Sequence, residues 1–183
     1  MGKAKVQGAL AELARTLAEL EIPYAIAGAM ALNAYGYERV TTDIDVILTA
    51  AGLAALKARK LGLGYVERFP GSRGLRDTMY GVDIDVLITG DYPGDGKPKP
   101  IAFPDPNTAE PHGSYRLVSL PTLIELKLAS GMTAPHRLRD LADVLELIRA
   151  AKLPLSFEES LDPYVREKYR ELHDAAQSSA GER

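Results

Sequence analysis

Cysteine and tryptophan are missing from this 183-residue chain, and histidine and phenylalanine occur three times each. Without cysteine there is no disulfide framework, no thiolate zinc site and no cysteine nucleophile. The histidines, His112, His136 and His173, are far apart and none has a carboxylate and a nucleophile at triad spacing, so a His-rich metal site or a hydrolase triad is not expected. Long hydrophobic runs are missing as well. No stretch approaches the roughly 18 apolar residues needed to span a bilayer, and the N-terminus has no apolar core followed by a cleavage site. A cytoplasmic protein with no membrane partner is the expectation. Neither sign of charge dominates: 22 Lys and Arg stand against 25 Asp and Glu, a formal net charge of -3. That balance argues against tight nonspecific nucleic-acid binding through global charge, and leaves room for a local basic groove. With 46% hydrophobic and 26% charged residues, the composition is that of a globular chain with a substantial core.

Two segments carry most of the chemical information: Thr41-Thr42-Asp43-Ile44-Asp45-Val46-Ile47-Leu48 and Val82-Asp83-Ile84-Asp85-Val86-Leu87-Ile88. On a strand, side chains alternate faces, so Asp43 and Asp45 point the same way while Ile44, Val46 and Leu48 serve the other face. Asp83 and Asp85 repeat the pattern. Carboxylates held this close repel one another unless a cation lies between them, and a hard divalent ion such as Mg²⁺ suits oxygen ligands. Alone, an acidic strand face is equally well a solvated one.

The surroundings supply context. Residues 3–20 carry Val6, Leu10, Leu13, Leu17 and Leu20 in the stripe of an amphipathic helix. Pro23 breaks it, and 24–27 reads as a short buried strand running into Gly28. A small-residue helix over 29–35 follows, with Gly36 at its end. Gly28 thus opens a helix after a strand, offering backbone N–H groups and a positive dipole end to a phosphate. Further on, 50–61 reads as helix and 65–69 as strand. Residues 78–80 and 82–89 read as strand pieces around Gly81, either one bulged strand or a hairpin. The Pro- and Gly-rich stretch 90–113 reads as a surface loop or mobile lid, because it lacks the spacing of a P-loop. Thr122 and Glu125 have capping-box spacing and Gly131 is placed to end that helix. A second helix begins near Thr133, with Leu138, Leu141, Leu145 and Ile148 as its core stripe and Asp140 and Asp143 on or near the opposite face. A third, weakly packed helix is expected near 162–176.

From Tyr24 to Leu48, with Gly28-Ala29, Gly36 and Arg39-Val40-Thr41-Thr42-Asp43-Ile44-Asp45, the chain resembles nucleotidyltransferases of the DNA polymerase beta superfamily. Their signature is a Gly-Gly or Gly-Ser turn, Asp-x-Asp on one strand and a third Asp on another. Ala29 stands where the signature has its second small residue. The segments Leu123-Ile124-Glu125-Leu126-Lys127-Leu128 and Arg139-Asp140-Leu141-Ala142-Asp143-Val144 are similar to the helical half of the small AbiEii-type toxin nucleotidyltransferases.

This resemblance implies an α/β (α+β) nucleotidyltransferase fold, a mixed β-sheet flanked by helices with a helical C-terminal region. The expected organisation is a core over 1–118 containing the loop 90–113, a helical region over 119–176 and a flexible tail over 177–183. The implied activity is Mg²⁺- or Mn²⁺-dependent transfer of a nucleoside monophosphate from a nucleoside triphosphate such as ATP to an acceptor hydroxyl, with release of pyrophosphate. Asp43, Asp45 and Asp85 would be catalytic and metal-binding, with Asp83 as the substitute third acid. Gly28, Ala29, Arg39, Thr42 and Lys127 would bind the nucleotide. The acceptor is left open among tRNA, protein and small molecules, and a toxin role with an antitoxin partner is implied. The alternatives are a catalytically inactive nucleotide- or partner-binding module of the same fold, for which Ala29 is the motive, and an interaction protein whose aspartates only solvate strands.

Overall fold

The computed structural model describes residues 2–178, so the expected tail lies outside the described residues from 179 onward. Contacts divide the chain into two compact units. The first comprises residues 1–31, 39–90 and 104–119; the second comprises 32–38, 91–103 and 120–183. The helical unit therefore includes two segments, 32–38 and 91–103, that fall within the expected core 1–118.

The first unit is built on a sheet of β1 (Ala25–Ile26), β2 (Asp43–Leu48), β3 (Tyr65–Glu67), β4 (Leu75–Asp77), β5 (Asp83–Ile88), β6 (Glu110–His112) and β7 (Tyr115–Leu117), in the order β3-β4-β5-β2-β1-β7-β6. β2 and β5 are parallel, as are β1 and β7, and the other pairs are antiparallel. β2 and β5 lie inside the sheet, and Ile44, Val46, Ile47, Leu48 and Ile84 are buried there. Helix α1 (Gly2–Glu19) buries Val6, Leu10, Leu13 and Leu17, the stripe expected from its periodicity. Each such side chain contributes roughly 1.5–3 kcal/mol of hydrophobic stabilisation. Helix α2 (Gly28–Ala34) starts immediately after β1. Helix α3 (Ala50–Lys60) is capped by Thr49, whose hydroxyl accepts from the Gly52 N–H at 2.9 Å, and its last turn carries Lys57, Arg59 and Lys60 against the dipole.

Two local expectations change here. Residues 78–80 are a turn, so neither the bulged strand nor the hairpin expected of 78–80 with 82–89 forms; β4 lies earlier, at Leu75–Asp77, and it is this strand that makes a hairpin with β5. Buried Asp77 accepts from the Tyr80 N–H at 2.6 Å, which turns the chain where strand was expected. The stretch 90–113 is not all loop, since it includes a 3-10 turn at Pro106–Thr108 and strand β6, which pairs with β7.

The second unit holds α4 (Leu120–Thr133), α5 (Leu138–Ala150) and α6 (Pro163–Ser178), packed on one another. Thr122 lies within α4 rather than capping it, and Glu125 accepts from the Asp162 N–H at 2.7 Å. Gly131 does not end α4. A Cβ there would overlap Leu141, so the glycine permits α5 to approach. The buried stripe of α5 is Asp143, Val144, Leu147 and Ile148; Leu138 is exposed and Asp143 is not on the solvent face. A short 3-10 turn at Pro135–Arg137 precedes α5, so the helix starts at Leu138 rather than near Thr133. Helix α6 buries Val165, Tyr169 and Ala176, and the Tyr169 hydroxyl donates to the Pro154 carbonyl at 3.0 Å. The segment 91–103 is tied down within this unit rather than free as a lid. Lys99 donates to the Pro93 and Lys97 carbonyls and to Asp95, and Gly94 packs where a side chain would overlap Ser130 and Thr133 of α4.

Candidate active site

The parallel register of β2 and β5 pairs Asp43 with Asp83 and Asp45 with Asp85. Neighbouring strands lie about 4.8 Å apart, so the four carboxylates form a two-by-two array on one face of the sheet. The alternating isoleucines and valines explain why. Ile44, Val46, Ile84 and Val86 are buried, which holds the aspartates to the other, half-buried face. Like charges directly opposite one another on adjacent strands disfavour the pairing by up to roughly 1 kcal/mol each.

Around the array, cations and donors offset part of that cost. The Thr41 hydroxyl donates to Asp43 Oδ1 at 2.5 Å. Arg76 of β4 pairs with Asp83 at 2.7 Å, directly across the β4–β5 hairpin. Arg68, just beyond β3, reaches Asp85 Oδ1 at 2.5 Å. The turn that carries Arg68 is held firmly. Lys57 donates to Glu67 Oε1 at 2.6 Å and to the Ser72 carbonyl at 2.5 Å, and the Gly71 N–H donates to Glu67 Oε2 at 2.9 Å. The hydrogen bonds from Lys57 and from the Gly71 N–H lower the Glu67 carboxyl below its ordinary range.

Gly28 meets this site directly. Its φ is +59°, and a Cβ there would overlap the Asp45 carboxylate, so only glycine lets the start of α2 lie against that acid. Ala29 is buried in the next position, Arg39 is half-buried in the segment leading to β2, and Thr42 is exposed just ahead of Asp43. Lys127 is in the helical unit, where its amine donates to Asp140 Oδ1 at 2.9 Å and Asp143 Oδ2 at 2.8 Å. Ser130 donates to the other oxygen of Asp140 at 2.7 Å. Burial raises the Asp140 pKa, but the charge and hydrogen bond of Lys127 and the Ser130 hydroxyl outweigh it and hold the carboxyl below its ordinary value. The structure thus gives Lys127 two anionic partners within its own unit.

The residues suit a hard divalent cation in their donor chemistry and in the close approach at Gly28. Among the described residues, however, no three His, Cys, Asp or Glu side chains converge as a ready-made metal cluster. Sequence reasoning missed Arg68, Arg76 and Gly74. The available signal was the run Arg68, Arg73 and Arg76 shortly before the second acidic segment, which no motif had drawn on.

A mixed seven-stranded sheet flanked by helices, continued by C-terminal helices, is a fold of the nucleotidyltransferase type. It is similar to the solution structure of the antibiotic-resistance factor ANT(2'')-Ia, described as revealing substrate-regulated conformation dynamics, with a TM-score of 0.52 and 16% identity over 99% of this chain and 95% of that one. That protein is a nucleotidyltransferase of the polymerase beta-like superfamily. At this identity the likeness is one of fold, and it does not single out the AbiEii-type group. No protein-family model and no curated protein matches the sequence. No helix among the described residues is long and apolar enough to cross a membrane.

Proposed function

We propose that the protein is a cytoplasmic, Mg²⁺- or Mn²⁺-dependent nucleotidyltransferase. The observation that carries this is the in-register array of Asp43, Asp45, Asp83 and Asp85 on the parallel pair β2–β5, in a fold shared with a nucleotidyltransferase. Asp43 and Asp45 hold the cation, and Asp85, with Asp83 as its substitute, is the third acid. The start of α2 at Gly28 and Ala29 lies against the triphosphate, with Arg39 and Thr42 beside it. The acceptor hydroxyl gives up its proton to solvent, its oxygen attacks the α-phosphorus, a new P–O bond forms, the α–β anhydride bond breaks and pyrophosphate leaves. The bound cation supplies neutralisation of the triphosphate and a lowered pKa for the attacking hydroxyl. The chain contributes positioning and charge, with no covalent protein intermediate.

Because the fold neighbour is an antibiotic-resistance factor, a small hydroxylated molecule is the acceptor class to try first, with tRNA and protein next. A toxin with an antitoxin partner rests on the motif resemblance alone. Lys127 stays a nucleotide-binding candidate on the motif resemblance, and within its own unit its amine donates to Asp140 and Asp143.

One observation favours a second reading, a nucleotide-binding module without chemistry: Arg68 sits on the third acid. Titration of each nucleoside triphosphate, with and without Mg²⁺, against the wild type and Asp43→Asn/Asp45→Asn tests both. Magnesium-dependent binding lost in the variant, with pyrophosphate released on addition of an acceptor, supports the transferase. Binding without pyrophosphate release for any acceptor class supports the module. Absence of binding in either protein rejects a nucleotide site.

A further inference from the structure

The sheet unit devotes three separate features to bringing one guanidinium onto Asp85. Glu67, braced by Lys57 and the Gly71 N–H, fixes the turn. The Arg68 N–H donates to the Gly74 carbonyl at 3.2 Å, closing the end of the β3–β4 hairpin. Gly74 itself is buried and has an ordinary backbone, yet a Cβ there would overlap the Arg68 guanidinium. A side chain at this position would push the guanidinium off its place on Asp85. An ordinary surface ion pair is worth little and has no such scaffold. Asp83, one position along the same strand face, has its own arginine in Arg76, so Arg68 is not needed to relieve that acid.

We propose that Arg68 is a positioning residue that acts as the resident counter-cation of Asp85 and couples cation binding to triphosphate binding. This rests on the transferase reading of the same acids. A guanidinium and a divalent ion compete for one carboxylate, because each stabilises its charge and they repel each other. The free site therefore takes a divalent ion poorly. A cation arriving with a triphosphate brings its own anion, which receives the displaced guanidinium through the planar, paired geometry arginine offers to phosphate oxygens. The chain thus discriminates against a bare metal ion in favour of a metal–nucleotide complex.

The test compares the affinity of the full chain for Mn²⁺ alone with its affinity for preformed Mn²⁺ complexes of each α,β-methylene ribonucleoside triphosphate, by calorimetry and by electron paramagnetic resonance of the bound ion. Wild type is expected to favour one of the complexes strongly over Mn²⁺ alone. Arg68→Gln is expected to bind Mn²⁺ alone several-fold more tightly and the complex more weakly, shrinking the preference about tenfold. Gly74→Ala, which keeps the arginine but displaces it, is expected to move the preference in the same direction, and Arg68→Lys to leave the affinity for Mn²⁺ alone near the wild type while weakening the complex, because lysine keeps the charge but not the paired planar geometry. An unchanged preference in Arg68→Gln, or a parallel weakening of both affinities, overturns the proposal. Mn²⁺ binding that survives Asp43→Asn/Asp45→Asn instead overturns the transferase reading, whatever Arg68 does.

Discussion

Both units contain aspartates near cationic side chains, and they resolve the charge in opposite ways. In the helical unit one buried lysine lies between Asp140 and Asp143, and Ser130 takes up a further oxygen, so the cluster is closed by groups from α4 and α5. In the sheet unit four carboxylates share one half-open face, and the two on β5 are paired with Arg68 and Arg76 at 2.5 and 2.7 Å. A closed, buried cluster is a structural device. Breaking it leaves a charge without water or partner. An open array of like charges on one strand face gains from an added cation. The contrast sets a lysine held between two acids against acids that share an open strand face.

The largest expected effect follows from breaking the closed cluster. Lys127→Met should destabilise the protein by about 3–5 kcal/mol, because buried Asp143 loses the lysine that pairs with it, while Asp140 keeps Ser130 and Arg137. Chemical denaturation checks this. A loss below about 1 kcal/mol together with weakened triphosphate binding would mark Lys127 as a nucleotide ligand rather than a structural ion pair.

Gly28→Ala sharpens the other side of the comparison. Forcing a Cβ into the left-handed backbone against Asp45 should cost on the order of 2 kcal/mol and displace that carboxylate. Cation-dependent nucleotide binding should fall more than global stability does. Equal nucleotide affinity in a folded Gly28→Ala protein would show that the contact with Asp45 has no part in binding.

The smallest effect is in the pH dependence. Asp140 has a folded pKa below the ordinary 3.8, so its contribution to stability is present above 3.8 and is lost as the pH falls through the lower folded value. Glu125 has the reverse sign: burial raises its pKa above 4.5, so its contribution is lost as the pH rises from 4.5 through the higher folded value. Denaturation midpoints of Glu125→Gln should therefore gain on the wild type above pH 4.5. A midpoint difference that does not change with pH would remove Glu125 as the source.

The α1 stripe, the two Asp-Ile-Asp strands and Gly28 were legible in the sequence because each depends on neighbours within a few residues: helical period, strand alternation and a strand-to-helix turn. The β4 strand, the β6–β7 pairing and the place of Gly131 were not legible, since each depends on a partner distant in the chain or on the space it leaves. Arg68 belongs to this second kind. Its meaning comes from Asp85, seventeen positions away, and from the missing side chain at Gly74.

By itself, the sequence determined that two pairs of aspartates would each share a strand face, because alternation is a local property of an extended backbone with buried isoleucine and valine on the other side. Only the tertiary structure decided that the two strands lie side by side, parallel and in register, and that an arginine rests on one acid while a lysine elsewhere is held by two others. Strand register and ion pairing are settled by the packing of distant segments, where the energy of burying and pairing charge exceeds any local preference.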